Sequence, residues 1–348
     1  MSALVHGTVD AAFEPVRDVF ERRLESDELG AAVCAYVDGR KVVDLWGGWA
    51  DADETRAWQR DTIVTVYSAT KGMTATCAHL LVDRGLLDAD EPVATYWPEF
   101  AQSGKDKTTV RMLLAHQAGL VFTTVPVPRE KRFDWDVMTS ALARSAPGWE
   151  PGTRAEYHGG TFGFLVGELV RRIDGRALDV FFRDEIAGPL GADCMITVDA
   201  EHDERCAEVV GDNEFPNTRV WRAAGVGAAT GHCTAEGLAR MYAPLARGGE
   251  VDGVHLLRPA TIEAATEEQL PRTNHDEMFP GGLGYQLLWK IYPFGPYKPF
   301  GHTGMGGSIG LADPTTKVSF GFVMNKMFSG GAEALLPALY AALRATST

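Results

Sequence analysis

Residues 66–75, VYSATKGMTA, place a serine three positions before a lysine at the predicted start of a helix. Side chains three apart on a helix share a face, with Cβ atoms ~5–6 Å apart, so Lys71 Nζ can reach Ser68 Oγ. A partly desolvated lysine has a lowered pKa and can take the proton of a serine hydroxyl, which makes the serine a nucleophile. A helix-capping serine beside a solvated lysine fits the same spacing, so the pair alone leaves both interpretations open.

Two other segments could contribute to such a site. In GWEPGTRAEYHGG, residues 148–160, Tyr157 lies on a glycine-flanked turn before a predicted helix. In FGHTGMGG, residues 300–307, small residues predict a strand whose backbone a substrate could approach closely. The three segments together favour a nucleophilic site over an isolated cap.

SATK, the tyrosine turn YHG and HTG resemble, in this order, the SxxK, YxN and KTG elements of class C β-lactamases, DD-peptidases and family VIII carboxylesterases. LLAHQAGL (113–120), GWEPGT before the tyrosine and VMNKM near the end extend the similarity over roughly residues 30–345. An ordered set of this kind is far more specific than any of its members.

The resemblance implies an α+β, β-lactamase-like fold with an antiparallel sheet flanked by the terminal helices, plus an all-helical lobe. We assign residues 1–67 and 196–348 to the discontinuous sheet lobe and residues 68–195 to the mainly helical lobe. The active site is expected in the cleft between them.

The resemblance also implies roles for individual residues. Ser68 would be the nucleophile, Lys71 its base or proton relay, and Tyr157 a partner in proton transfer as a phenolate or hydrogen-bonded phenol. The backbone N–H groups of Ser68 and Met305 would form the oxyanion hole. Four further residues would contact the substrate: Gly159, His302, Thr303 and Gly304.

Two of these positions depart from the family pattern. Gly159 stands where lactamases and DD-peptidases carry an asparagine that binds a substrate amide, and His302 stands where they carry the lysine of KTG. A histidine is mostly neutral near pH 7 and anchors a carboxylate less well than a lysine. Both changes weaken β-lactam and peptide recognition, whereas an ester requires only an acyl pocket, an oxyanion hole and a nucleophile.

The predicted elements would position these residues. Apolar spacing predicts an opening helix over residues 9–26, and the turn Asp38-Gly39 predicts a hairpin between two strands. A second β-rich region comprises LGYQLLWKIY, KPFGHTGMGGSIGLADP and KVSFGFVMNK, followed by a helix over 331–345. Helical spacing between the two β regions predicts further helices over 69–85, 108–117, 134–145, 161–174 and 177–186.

Composition limits the possible partners. The formal net charge of −14 argues against a nucleic-acid partner, because like charges repel phosphate. The five cysteines are expected to be reduced and mostly buried, and the nine histidines lack metal-ligand spacing, so we expect neither metal nor cofactor. The sequence shows neither an export signal nor a membrane span, which predicts a cytoplasmic protein, and an oligomer remains possible.

GGSIG, residues 306–310, matches the GxSxG nucleophile elbow, but the surrounding pattern is strand–turn–strand and no histidine follows His302. Ser308 is therefore not expected to be the nucleophile. Four aromatic residues are candidates for the pocket wall, although a core role fits each equally: Trp135, Phe279, Trp289 and Phe294.

These observations predict a serine hydrolase that cleaves small carboxylic esters through an acyl-enzyme. A β-lactamase, a D-amino-acid peptidase or amidase, and an acyltransferase remain alternatives that use the same nucleophile. A more remote alternative is a non-catalytic binding or filament-forming module that kept the fold, although such a module would be free to lose Ser68, Lys71 and Tyr157.

Overall fold

The computed structural model describes residues 4–211, 214–269 and 281–346. Its strands are β1 (Val5–Val9), β2 (Gly30–Val37), β3 (Arg40–Gly48), β4 (Val64–Thr65), β5 (Cys194–Met195), β6 (His232–Cys233), β7 (Glu250–Val251), β8 (Val254–His255), β9 (Phe300–Thr303), β10 (Ile309–Asp313) and β11 (Val318–Met324). Six of them form one antiparallel sheet in the order β1-β3-β2-β11-β10-β9. The two β-rich ends of the chain therefore meet in one sheet, where β2 pairs with β11.

The helices are α1 (Glu14–Ser26), α2 (Thr70–Asp83), α3 (Val93–Tyr96), α4 (Val110–Leu114), α5 (Trp135–Arg144), α6 (Thr161–Asp174), α7 (Leu178–Phe182), α8 (Gly188–Leu190), α9 (Arg219–Arg222), α10 (Ala235–Ala246), α11 (Pro259–Thr266) and α12 (Gly331–Thr346). A π-helical turn over residues 183–187 joins α7 to α8. Helix α2 is buried along nearly its whole length and packs against α6, α7 and α11. It is the central helix of the structure, and its buried residues include the polar side chains of Thr70, Lys71, Thr74, Thr76 and His79.

Helices cover both faces of the sheet. Gly310 on β10 and Gly321 on β11 have α10 directly against them, since a Cβ added at Gly310 would lie 2.5 Å from Tyr242 and one at Gly321 would lie 2.3 Å from the carbonyl oxygen of Ala235. The neighbouring Phe322 contacts the first residue of α12 instead. Successive strand residues point to opposite faces, so α10 packs on one face, and α12, which packs with α1, lies on the other.

The Asp38-Gly39 hairpin is confirmed, and both turn residues have positive φ, 49° and 81°, as the tight hairpin turn requires. Two other predictions need correction. The helix predicted over residues 9–26 forms, but as a 3₁₀ turn, Ala11–Phe13, followed by α1 from Glu14 with Pro15 in its first turn, and strand β1 precedes both. The segment LGYQLLWKIY forms no regular strand; it contributes two isolated β-bridges, from Gln286 to Gly281 and to Gly301, and a short 3₁₀ turn over Leu288–Lys290.

All five cysteines are buried and unpaired, as expected for reduced thiols. Within the described ranges, no helix is long and apolar enough to cross a membrane. The division into a sheet lobe and a helical lobe at residues 67/68 and 195/196 remains a prediction.

Glu28 provides a pH-dependent contribution to stability. Its carboxyl group is buried between α1 and the first residue of α12, and burial raises its pKa to about 7, with Ser329 and Arg23 opposing the shift. The folded state therefore holds a proton that the unfolded state, with an ordinary pKa of 4.5, releases as the pH rises. Stability should fall between pH 4.5 and 7 because the native state binds more protons in this window.

We expect Glu28→Gln to abolish this pH dependence. At pH 8 the variant should be more stable than the wild type, by on the order of 3 kcal/mol at most, and the two should converge near pH 4. Urea unfolding of both proteins at pH 4 to 8 measures the difference. Parallel curves over this range would show that the pKa of Glu28 is the same in the folded and unfolded states.

Candidate active site

Ser68 lies on a 3₁₀ turn, Tyr67–Ala69, that joins β4 to α2. Tyr67 adopts a positive φ of 45°, which is strained for a bulky residue. Its carbonyl oxygen accepts a 2.5 Å hydrogen bond from Thr70 Oγ1, and its ring packs 5.9 Å from that of Trp221. These contacts hold the turn so that Ser68, half-buried between buried neighbours, begins the central helix.

Lys71 is fully buried beside Ser68. Its Nζ lies 3.2 Å from Ser68 Oγ and donates a 2.8 Å hydrogen bond to the carbonyl oxygen of Ala228. Burial holds the pKa of Lys71 well below its usual range. Burial therefore favours the neutral amine, whose lone pair can accept the serine proton.

The carbonyl of Ala228 is brought to Lys71 by close backbone packing. Gly163 on α6 leaves no room for a side chain, since an added Cβ would lie 2.5 Å from the backbone nitrogen of Ala228. Thr74 Oγ1 on α2 donates a 2.6 Å hydrogen bond to the carbonyl oxygen of the preceding residue, Gly227. Helices α2 and α6 thus fix the acceptor that orients the lysine.

Tyr157 lies over the same amine, with its ring centroid 4.6 Å from Lys71 Nζ. Burial raises the pKa of Tyr157, and the Ser68 hydroxyl acts in the opposite direction. Tyr157 is therefore a neutral phenol near pH 7 rather than a phenolate. Its ring face can also stabilise an ammonium group formed on Lys71.

Two histidines, the buried His158 and the partly buried His116, hold the tyrosine turn in place. His158 Nδ1 donates to the carbonyl oxygen of Glu156 at 2.6 Å, and its Nε2 accepts the N–H of Leu120 at 3.0 Å. His116 Nδ1 accepts the N–H of His158 at 3.2 Å, and the His116 ring lies 5.1 Å from that of Tyr157. Burial lowers the pKa of His158 to about 4 and that of His116 well below its usual range, so both rings are neutral.

Strand β9 ends beside the serine turn. A Cβ added at Gly304 would lie 2.1 Å from the carbonyl oxygen of Val66, so only glycine allows this approach. His302 is buried, its Nδ1 lies 2.7 Å from the carbonyl oxygen of Thr303, and burial and Lys71 lower its pKa to about 3. Met305 follows on the next turn with its side chain 43% exposed.

The remaining sequence candidates have structural roles. Ser308 is buried and donates its hydroxyl proton to the carbonyl oxygen of Val66 at 3.0 Å. Trp135 Nε1 donates to Glu168 Oε2 at 2.8 Å, between α5 and α6. Phe294 is buried against Tyr340, and Trp289 packs under Lys290 and Lys298. Phe279 lies outside the described residues.

The structure also adds residues to the site that sequence reasoning did not assign. His116, within LLAHQAGL, and His158, next to Tyr157, had a positional signal but no assigned role. Ala228 acts through its backbone carbonyl, and Gln286 through a hydrogen bond to Thr303, so neither had a recognisable signal. Among the described residues, no cluster of three or more His, Cys, Asp or Glu side chains could hold a metal ion.

Comparison with known proteins gives consistent results. The family model described as Beta-lactamase matches residues 16–345. Esterase/beta-lactamase LipL of Mycobacterium tuberculosis is 36% identical, over 93% of this chain and 84% of its own length. The crystal structure of a family VIII carboxylesterase is 36% identical with a TM-score of 0.93, covering 97% of this chain and all of the other. A penicillin-binding protein homologue from Caulobacter crescentus is also 36% identical, with a TM-score of 0.90, and the match covers 97% of this chain and all of the other.

Proposed function

This chain belongs to the beta-lactamase family, and on that basis we propose that it is a serine hydrolase that cleaves small carboxylic esters through an acyl-enzyme on Ser68. The observation that carries the proposal is the 3.2 Å separation between Ser68 Oγ and a fully buried Lys71 Nζ whose pKa is lowered. The names of the related LipL and of the family VIII carboxylesterase support an ester substrate.

In acylation, Lys71 accepts the Ser68 proton as Ser68 Oγ attacks the ester carbonyl carbon. The new C–O bond forms while the carbonyl π electrons move to the oxygen, where the backbone N–H groups of Ser68 and Met305 stabilise the negative charge. The Tyr157 ring, 4.6 Å from Lys71 Nζ, stabilises the ammonium ion that results.

Collapse of the tetrahedral intermediate breaks the bond to the alcohol. Tyr157 donates its phenolic proton to the departing oxygen and is reprotonated by the Lys71 ammonium, which returns the amine to its neutral form. The raised pKa of Tyr157 suits this role, because a phenol that keeps its proton at pH 7 is available as an acid. Water then attacks the acyl carbon and gives a proton to the same pair. The bond from the acyl carbon to Ser68 Oγ breaks, the pair returns the proton to Ser68, and the carboxylic acid is released.

The substrate preference follows from Gly159 and His302. Gly159 has no side-chain amide to bind the amide group of a penicillin. His302 is buried and neutral, so it offers no positive charge to the penicillin carboxylate. We expect kcat/KM for p-nitrophenyl acetate and butyrate to exceed that for benzylpenicillin by at least ~10³-fold, or ~4 kcal/mol in transition-state stabilisation. Steady-state kinetics at one pH, with nitrocefin as an activated β-lactam, measures this ratio.

Gly159→Asn is the matched variant. A Cβ at this position would lie 3.7 Å from the Tyr157 ring, an ordinary contact, so a Cβ is accommodated without displacing the catalytic turn. We expect the variant to lower the ratio of kcat/KM for the p-nitrophenyl esters to kcat/KM for benzylpenicillin. Equal efficiency of the wild type on benzylpenicillin and on the esters would instead favour the β-lactamase function that the name of LipL also includes.

A further inference from the structure

Gln286 fixes the direction in which the Thr303 hydroxyl points its proton. Gln286 Oε1 lies 2.8 Å from the Thr303 backbone nitrogen and 2.9 Å from Thr303 Oγ1. A backbone N–H can only donate, so the amide oxygen, and not the amide nitrogen, must face it. A carbonyl oxygen can only accept, so Thr303 must give its one hydroxyl proton to Gln286. The lone pairs of Thr303 Oγ1 are then all that this hydroxyl can present to a substrate.

Gln286 is held rigidly in this position. Its backbone exchanges two hydrogen bonds with Gly301 on β9, at 2.8 and 3.1 Å, and the residue is only 3% exposed. Water therefore has little access to Gln286, whose amide oxygen stays available to the Thr303 hydroxyl.

The same logic applies to the preceding residue of β9. His302 Nδ1 lies 2.7 Å from the carbonyl oxygen of Thr303, which can only accept, so Nδ1 carries the proton. The buried ring is neutral near pH 7, which leaves Nε2 as a bare acceptor. Gly304 brings this end of β9 against the backbone that leads to Ser68. His302 is only 2% exposed there, whereas Thr303 is half-buried, so the acceptor that a substrate can reach is Thr303 Oγ1.

Within the proposed esterase function, we infer that the Thr303 hydroxyl, which Gln286 holds as an acceptor at this edge of the sheet, selects uncharged esters with a hydrogen-bond donor next to the scissile bond, and rejects esters with a carboxylate there. Gln286 is the positioning residue that sets this preference through Thr303. A carboxylate offers only acceptors, so burying it against this edge leaves its desolvation uncompensated. An amide N–H or a hydroxyl on the substrate finds a partner in the same place.

Three acetate esters of similar size test the inference: 4-acetoxybenzamide, methyl 4-acetoxybenzoate and 4-acetoxybenzoate, together with their meta isomers. Each kcat/KM is divided by the rate constant for hydroxide-catalysed hydrolysis, which removes differences in leaving-group reactivity. We expect the wild type to prefer the amide ester over the carboxylate ester by at least about 10-fold after this correction. A ratio near one for both isomers would overturn the inference.

Gln286→Met keeps the volume of the side chain but removes the acceptor, which frees the Thr303 proton for the substrate. We expect it to raise the ratio of kcat/KM for the carboxylate ester to kcat/KM for the amide ester by about 10-fold. The double variant Gln286→Met/Thr303→Val should lose that gain because no hydroxyl remains to donate. A gain that persisted in the double variant would assign the effect to loosening of β9 and refute the role of Gln286.

Thr303→Val keeps the β-branched shape and serves if the Gln286 variant does not fold. We expect it to lower kcat/KM for the amide ester by about 5- to 10-fold, and to lower that for the carboxylate ester less. A larger loss on the carboxylate ester would mean that Thr303 donates to substrate, and would overturn the inference. Failure of the wild type to hydrolyse any of these esters in a Ser68-dependent manner would refute the proposed function itself, which separates the two outcomes.

Discussion

Ser68→Ala is expected to lower ester hydrolysis by at least about 10⁴-fold, because the variant lacks the oxygen to which the acyl group is transferred. The fold should persist, since Ser68 is only half-buried and its turn is held by Thr70 and by the contact between Tyr67 and Trp221. Steady-state kinetics with p-nitrophenyl butyrate measures the loss, and thermal unfolding followed by circular dichroism checks the fold.

Ser308→Ala is the matched control, because it removes the serine of the GGSIG segment. Ser308 donates to the carbonyl oxygen of Val66, so its loss should destabilise the protein by about 1 kcal/mol and leave the nucleophile in place. Hydrolysis should continue in the folded variant. A folded but inactive Ser308→Ala protein, together with an active Ser68→Ala protein, would show that the nucleophile has been assigned to the wrong serine.

Lys71→Ala and Tyr157→Phe are each expected to lower kcat by about 10²–10⁴-fold. Lys71 Nζ lies 3.2 Å from Ser68 Oγ and 4.6 Å from the Tyr157 ring centroid, so the amine and the phenol can serve one chain of proton transfers. Residues that act as a unit have effects that do not add. The double variant should therefore be about as slow as the slower single variant.

Single-turnover kinetics of the wild type and the three variants on one p-nitrophenyl ester measures this coupling at the acylation step. Losses that multiplied in the double variant would indicate that Lys71 and Tyr157 act independently. His158→Gln provides a comparison, since it disturbs the hydrogen bonds that hold the tyrosine turn but removes neither the amine nor the phenol.

The parts of the fold that sequence analysis predicted are those with strong local signals. The Asp38-Gly39 turn requires two positive φ angles. Helices α2 and α6 are long segments in which apolar residues recur at helical intervals. Strand β1 lacks such a signal because its central residues are exposed, and it pairs only with β3 at the edge of the sheet. The apolar run LGYQLLWKIY was misassigned because a short apolar run does not distinguish a strand from irregular buried structure.

The residues of the candidate active site likewise fall into two groups, those that the sequence could predict and those that it could not. Ser68, Lys71, Tyr157 and the HTG segment could be proposed from residue types and their order along the chain. The acceptor for Lys71 could not, because it is the backbone carbonyl of Ala228, 157 positions away, and a carbonyl has no sequence signature. The contact between Gln286 and Thr303 likewise depends on an irregular segment meeting β9, which no periodicity predicts.

The most direct measurement of the central claim is the location of the covalent adduct formed with a fluorophosphonate probe. The protein is labelled, digested and analysed by tandem mass spectrometry, with Ser68→Ala and Ser308→Ala treated in parallel. The account predicts one adduct per chain on Ser68, its absence in Ser68→Ala, and its retention in Ser308→Ala. An adduct on Ser308 or on any other residue, or labelling that persists in Ser68→Ala, would contradict it.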